Sequence, residues 1–286
     1  MQTIDGHTEI VAVIGDPIEH TLSPAMHNAA FDALGMNWVY IACHVKPAGV
    51  RDAVEAVRAL NWRGMNVTVP HKQAVMEGLD ELSDAAKAVG AVNTIIHRDG
   101  KLSGDNTDVY GILRAIHDGA GVEDPPEHVV VLGAGGAARG IIYALTTLEA
   151  VRKVTILNRT VERAERLATE FGGDTEIVAA PLDVDSARRA LRDAGLVINV
   201  TNLGRGEYAN LSPIGDDWNC LHDSLVCIDS NYSPPRTMLM KQIERVGGRA
   251  YNGLDMLVYQ GARSFELWTG ITPPIDVMRN AIVKPG

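Results

Sequence analysis

His128-Val-Val-Val-Leu-Gly133-Ala-Gly135-Gly136-Ala137-Ala138 reads as a strand, a tight turn and the start of a helix. A strand buried on both faces of a parallel sheet is a continuous apolar run, and Val129-Val-Val-Leu132 is one. It feeds G-x-G-x-x-A at Gly133, Gly135 and Ala138. Each position has a physical reason. Gly133 allows the sharp turn, Gly135 leaves no Cβ between the backbone and a pyrophosphate, and Ala138 lets the helix pack close to the strand. The helix then presents free N–H groups and a positive dipole end to phosphate. A bare G-x-G-x-x-A carries little. In this strand–helix setting it predicts a dinucleotide site lined by Gly133, Ala134, Gly135, Gly136 and Ala137. The competing reading is a tight turn with no ligand.

The next strand decides which dinucleotide. NAD binders commonly end it in Asp or Glu, for the ribose hydroxyls. Here Lys153-Val-Thr-Ile-Leu ends in Asn158-Arg159-Thr160, and Arg163 follows. A carboxylate would repel a 2′-phosphate, whereas guanidinium groups clamp it through charge-assisted hydrogen bonds. Asn158, Arg159, Thr160 and Arg163 therefore predict NADP(H). The alternative is a solvated helix start with Arg163 paired to Glu162 or Glu170.

Outward from this pair, strand-like and helix-like segments alternate over His128–Leu132, Gly136–Glu149, Lys153–Leu157, Val161–Phe171, Leu196–Val200 and Leu225–Asp229. Helical patterns follow at Asp255–Trp268 and Ile275–Val283. That alternation predicts a doubly wound parallel sheet. A second α/β pattern precedes it. Strands are expected at Ile10–Ile14, Asn37–Cys43 and Gly64–Val69. Helices are expected from Ser23-Pro24 to about Leu34, at Val50–Leu60, at Ala85–Val89 and at Asp108–His117. Val92–Arg98 and Lys101–Ser103 flank a turn-forming Asp99-Gly100 as a hairpin. Gly119–Glu127, rich in Gly, Pro and acid, is the best linker candidate.

The 286 residues suit one large or two modest domains. With 46% hydrophobic and 22% charged residues, the composition excludes wholesale disorder, collagen-like chains and coiled coils. The net charge of -10 is spread along the chain, so no basic patch points to nucleic acid or an anionic membrane. Cys43, Cys220 and Cys227 form no C-x-x-C pair, so reduced thiols are expected rather than a disulfide scaffold or a metal site. The start lacks the basic and apolar regions of a signal peptide, and no long apolar run is free of charge. A cytoplasmic protein is expected, either a monomer or a homodimer.

Four polar clusters interrupt the apolar strands of the first half. They are Thr21-Leu22-Ser23, Asn66-Val-Thr68-Val-Pro70-His71-Lys72, Asn93-Thr94 and Gly104-Asp105-Asn106-Thr107-Asp108. Singly, each has a structural explanation: Ser23 and Asp108 as helix caps, Thr68 as a strand residue, Lys72 as a solvated cation. Together they place hydroxyls, amides, one lysine and one aspartate at strand ends, where α/β proteins bind ligands. Such groups suit a polyhydroxylated acid.

These runs resemble those of shikimate dehydrogenases. The similarity lies in Gly15-Asp-Pro-Ile-Glu-His-Thr21-Leu-Ser23-Pro-Ala-Met-His27-Asn28, Asn66-Val-Thr-Val-Pro-His-Lys72, Gly90-Ala-Val-Asn93-Thr and Gly104-Asp-Asn-Thr-Asp108. It continues in the glycine loop, in Asn158-Arg-Thr160 and in Gly253-Leu-Asp-Met-Leu-Val-Tyr-Gln260. The order is kept over nearly the whole chain. The resemblance implies NADP-dependent interconversion of 3-dehydroshikimate and shikimate, on the way to aromatic amino acids. It implies a substrate domain over residues 1–110 and 255–286, whose last part is a helical return, and a Rossmann domain over 111–254. By the same resemblance Lys72 and Asp108 match the catalytic pair. Thr21, Ser23 and Tyr232 match the hydroxyls on the substrate carboxylate, and Thr68, Asn93 and Gln260 the contacts to ring hydroxyls. Thr201 and Gly253 join the cofactor set.

Three departures bear on specificity. Thr21 stands where the family usually has Ser, and His71 stands where Phe is frequent. Asp255 and Tyr259 flank Gln260 where smaller or neutral residues are common. The chemistry itself is a hydride transfer with a proton moving on oxygen. No Tyr-x-x-x-Lys pair and no Cys/His cluster is available to supply the acid, which leaves Lys72, oriented by Asp108. A dual quinate/shikimate dehydrogenase and a non-catalytic NADPH sensor are the rival readings. The arginines argue against NAD use in the first, and a sensor has no reason to keep Lys72 with Asp108.

Overall fold

Residues 4–216 and 219–283 are described in a computed structural model, and the chain divides into two α/β units. One contains the chain up to Gly111 and again from Val258; the other is Ile112–Leu257. The first unit opens with strand β1 (Glu9–Gly15), helix α1 (Ser23–Ala33), β2 (Trp38–His44), α2 (Val50–Ala59) and β3 (Gly64–Val67). It continues with β4 (Glu81–Leu82), α3 (Asp84–Val89), β5 (Thr94–Arg98), β6 (Lys101–Asp105) and α4 (Thr107–Arg114). Helix α1 begins at Ser23, one residue ahead of Pro24, so its cap position falls on Leu22 rather than on Ser23 and has no side-chain capping bond.

The strand order of the first sheet is β2-β1-β3-β5-β6-β4. β1 runs parallel to β2 and β3. β5 is antiparallel to both β3 and β6, so this sheet is mixed. The expected hairpin is present, and its turn residues Asp99 and Gly100 have φ of 51° and 77°. Two left-handed residues in succession match the twist of a two-residue hairpin. Met65, Ile95 and Leu102 on the strands and Val54 and Val57 of α2 are fully or almost fully buried in one apolar core.

The second unit alternates strictly: β7 (His128–Leu132), α5 (Gly136–Thr146), β8 (Lys153–Asn158), α6 (Val161–Phe171), β9 (Glu176–Pro181) and α7 (Val184–Leu191). Then come β10 (Leu196–Asn199), β11 (Val226–Asp229), α8 (Met238–Arg245) and β12 (Arg249–Asn252). The order is β12-β11-β10-β7-β8-β9, and every pairing is parallel. This is the doubly wound dinucleotide-binding order, with the reversal at β7. Val129 to Leu132 are 0% exposed, which is what a continuous apolar run in a two-sided sheet requires.

The chain passes between units inside α4, not at Gly119–Glu127 as the composition suggested. Beyond Arg114 a single wide turn at Ala115–Gly119 follows. Ala120 is buried, its carbonyl accepts from Arg249, and a Cβ on Gly195 would strike Pro126. The Gly/Pro-rich stretch is thus a packed surface loop of the second unit. Helix α9 (Leu254–Thr269) carries the chain back, and α10 (Ile275–Asn280) follows. In the first unit the indole Nε1 of Trp268 donates to Ile95 O at 2.9 Å. Any Cβ on Gly64 would collide with that indole and with the Ile95 carbonyl, so the residue must be glycine for α9 to dock there.

Candidate active site

Lys72 lies in the loop after β3. Its carbonyl accepts from Val92 N at 2.8 Å, tying the loop to the segment that bears Asn93. Its Nζ donates to Asp108 Oδ2 at 2.5 Å. The two side chains are 19% and 12% exposed. Water therefore screens this pair little. Asp108 is the second residue of α4 rather than its cap. Its other oxygen, Oδ1, accepts from Asn93 Nδ2 at 2.9 Å. Asn93 in turn is oriented without ambiguity. Thr107 N can only donate, and it donates to Asn93 Oδ1 at 2.8 Å, so the amide nitrogen faces Asp108. Asn93 Nδ2 also lies 3.5 Å from Gln260 Oε1. Lys72, Asp108, Asn93 and Gln260 are thus brought together in one unit from a loop, a helix start, a strand approach and the returning helix.

Thr21 and Ser23 lie at the start of α1. Ser23 N donates to Thr21 Oγ1 at 3.3 Å. Thr68 N donates to Ile14 O, fixing its position between β1 and the Lys72 loop. His71 is buried, and its Nε2–H donates to Val45 O at 2.6 Å. The imidazole that replaces the frequent Phe therefore anchors the loop to its neighbour.

In the second unit Gly133 has φ of +111°, and its N donates to Leu157 O. The Val200 and Thr201 side chains close over it, a little more than 3 Å from where a Cβ would stand. Thr201 thus reaches the glycine loop, and its hydroxyl donates to Asn199 Oδ1 at 2.8 Å. Nothing lies within 4 Å of a Cβ placed on Gly135 or Gly136, and α5 has no side-chain cap. A helix start with no side-chain cap and with room at its glycines is the arrangement an anion needs.

Asn158 is engaged in building this loop: Oδ1 accepts from Ala134 N at 3.0 Å and Nδ2 donates to Thr160 O at 2.7 Å. Arg159, Thr160 and Arg163 are exposed. Glu170 pairs with Arg139, not with Arg163. Neither Arg159 nor Arg163 makes an ion pair among the described residues, and the Thr160 hydroxyl does not cap α6. The two guanidiniums are exposed beside an uncapped helix start, and the pairing of Arg163 with Glu170 is not formed.

Gly253 packs so tightly on Ser230 that no Cβ could be added; it shapes the chain there. Burial pushes the Tyr232 phenol above its usual value, with the Arg205 charge partly opposing, so its hydroxyl stays a donor. Asp229 is 0% exposed, and burial raises its carboxyl; bonds from Thr237, Asn199 and Asn231 partly counter this. The three cysteines are free, with Cys220 and Cys227 buried.

Family comparisons give this geometry its context. Residues 13–95 match the shikimate dehydrogenase substrate binding domain, 123–204 the shikimate / quinate 5-dehydrogenase domain and 253–283 the shikimate 5′-dehydrogenase C-terminal domain. The chain is 44% identical to the shikimate dehydrogenase (NADP(+)) of Methanopyrus kandleri, over 99% of its own length and 97% of the relative's. The chain belongs to the shikimate dehydrogenase family. Among solved structures, shikimate 5-dehydrogenase from Listeria monocytogenes in complex with shikimate and NAD superposes with a TM-score of 0.92. Identity is 34%, with 99% of each chain covered. The Thermus thermophilus shikimate 5-dehydrogenase in complex with NADP(H) and shikimate gives 0.85 at 35% identity, covering 96% of this chain and 98% of that one.

The sequence reading passed over Ser264 and Tyr40. Both are buried polar residues on otherwise apolar faces, and Ser264 sits one turn after Gln260, the only signal it offered.

Proposed function

We propose that this chain is an NADP-dependent shikimate dehydrogenase that reversibly reduces 3-dehydroshikimate to shikimate, with Lys72 and Asp108 as its acid/base pair. The observation that carries the assignment is the 2.5 Å Lys72–Asp108 pair, held by Asn93, in a chain of this family. A cofactor sensor would need the glycine loop alone, so this pair weighs against that rival. The first unit is the substrate domain and the second the NADP domain. The protein acts in the cytoplasm; among the described residues no helix is long and apolar enough to cross a membrane.

NADP(H), once bound, supplies or accepts the hydride. Its phosphates are assigned to Gly133, Ala134, Gly135, Gly136 and Ala137 at the start of α5, with Thr201 beside Gly133. The 2′-phosphate is assigned to Arg159, Thr160 and Arg163, while Asn158 and Gly253 hold the backbone around the site. In the reducing direction the Lys72 ammonium donates a proton to the carbonyl oxygen as it gains charge, and takes it back in oxidation. Asp108 aims the ammonium and balances its charge, and Asn93 keeps Asp108 turned to Lys72. Thr21 and Ser23 donate hydroxyl hydrogens to the substrate carboxylate, and Tyr232 is assigned to the same carboxylate by family resemblance. Thr68, Asn93 and Gln260 present polar atoms to ring hydroxyls.

Lys72→Ala tests the assignment. Loss of a positioned proton donor is expected to lower kcat by about 10²- to 10⁴-fold, with a smaller effect on shikimate binding. The variant also leaves Asp108 without its cation, so turnover is scored per folded enzyme. Near-parental kcat at saturating shikimate would remove Lys72 from the mechanism.

A further inference from the structure

Beneath the acid/base pair lies a continuous file of buried hydrogen bonds. It starts at the Tyr40 phenol. Tyr40 OH donates to Asn66 Oδ1 at 2.7 Å, and Asn66 Nδ2 donates to Ser264 Oγ at 3.0 Å. Ser264 Oγ is 2.8 Å from Thr94 Oγ1, and Thr94 Oγ1 donates to Asn93 Oδ1 at 3.0 Å. Asn93 Nδ2 then donates to Asp108 Oδ1, and Lys72 donates to Asp108 Oδ2. With the Ser264 hydrogen directed to Thr94, the links from Tyr40 to Asp108 each have one donor and one acceptor, all pointing the same way. Such a file polarises along its length. Tyr40, Asn66, Thr94, Asn93 and Ser264 are all buried, away from water that could take the place of a missing member.

Ser264 is the junction of this file. Besides Asn66 and Thr94, its Oγ lies 3.2 Å from Thr107 Oγ1 and 3.1 Å from Gln260 O, which are further acceptors within reach of its hydrogen. It therefore touches β5, the start of α4 and the strand-end residue Asn66 from a helix that returns late in the chain. Thr94 and Thr107 are the two hydroxyls that grip the Asn93 amide oxygen. We propose that Ser264 is a positioning residue for the reaction: through Thr94 and Thr107 it fixes the Asn93 amide, and through Asn93 it holds Asp108 in line with Lys72. The proposal rests on the reading of Lys72 and Asp108 as the acid/base pair. Ser264 itself does not touch substrate or cofactor in this account.

The test is a cycle of Ser264→Ala and Asn93→Ala, singly and combined, with kcat, KM for shikimate, KM for NADP and melting temperature for each full-length protein. Ser264→Ala is expected to lower kcat by about 5- to 20-fold, the scale of one lost positioning hydrogen bond, with KM for NADP unchanged. In the Asn93→Ala background the same change is expected to cost less than about 2-fold more, because its effect passes through the amide. Parental kcat in Ser264→Ala overturns the proposal, and so does an equal loss in both backgrounds, which marks a general structural role. An Asn93→Ala protein with parental kcat overturns the reading of the site beneath it. If Ser264→Ala does not fold, Thr94→Val breaks the next link, and parental kcat there overturns the proposal as well.

Discussion

His27 offers a sharp physical test of the first unit. Its ring is 0% exposed, and among the described residues neither Nδ1 nor Nε2 has a hydrogen-bond partner. It stacks on Tyr40 at 4.4 Å between ring centroids, with Phe265 and Trp268 also close. Burial among aromatic rings penalises the charged form, which lowers the imidazole from 6.5 to about 3. In the unfolded chain His27 protonates below pH 6.5, whereas in the fold it stays neutral until much lower pH. Its contribution to stability is therefore complete above pH 6.5 and is lost as pH falls toward 3. The slope is about 1.4 kcal/mol per pH unit, so about 2 kcal/mol is gone by about pH 5. In a unit of this size that is roughly 4–8 °C of melting temperature. The quantity to follow is the difference from His27→Leu, which keeps bulk and removes the titration at this position. Urea unfolding monitored by tryptophan fluorescence at about pH 7, 6 and 5 gives it. The variant starts less stable, through lost stacking, and the gap closes by about 2 kcal/mol at about pH 5. A gap that does not change with pH refutes the argument and means the ring is protonated within the fold.

Arg159→Ala with Arg163→Ala is expected to raise KM for NADP by about 10- to 100-fold or more and leave the weak NAD reaction nearly unchanged, since charge-assisted bonds to the 2′-phosphate are lost. Equal losses with both cofactors would place the arginines on folding or the shared pyrophosphate. Thr21→Ser removes a methyl group and loosens χ1 while keeping the hydroxyl. Quinate is bulkier than shikimate at the carbon bearing the carboxylate, so the parent should prefer shikimate and the variant should narrow the kcat/KM gap by at most about 1–3 kcal/mol. Comparable kcat/KM on both acids in the parent would favour the dual-substrate reading.

Much of the second unit was legible because its signals are local. Gly133, Gly135 and Ala138 have required positions in a turn, and Val129–Leu132 is buried on both faces, so period and composition agreed with the fold. The segments β9, α7, α8 and β12 escaped. β12 has four residues and β9 is a half-buried edge strand, too short or too mixed for a period to show. α7 and α8 were readable in hindsight from Asp183 and Thr237, whose side chains cap them. The polar clusters around Lys72, Asn93 and Asp108 stood out because hydroxyls and amides interrupt apolar strands. Ser264 did not. It meets Asn66 and Thr94 only when α9 folds back onto a sheet built from residues far earlier in the chain, and no local pattern encodes a contact across such a separation. The linker estimate failed for a related reason: Gly and Pro mark a bend in the chain, while the buried Ala120 that holds this one to the second unit has no signature of its own.

Initial rates of cofactor reduction by the purified full-length protein test the assigned reaction most directly, with shikimate or quinate as donor and NADP or NAD as acceptor. Saturable, shikimate-dependent reduction of NADP is predicted, with NAD much weaker and quinate slow or undetectable. A protein that binds NADP yet reduces it with neither acid, or one that reduces NAD as readily as NADP, would contradict it.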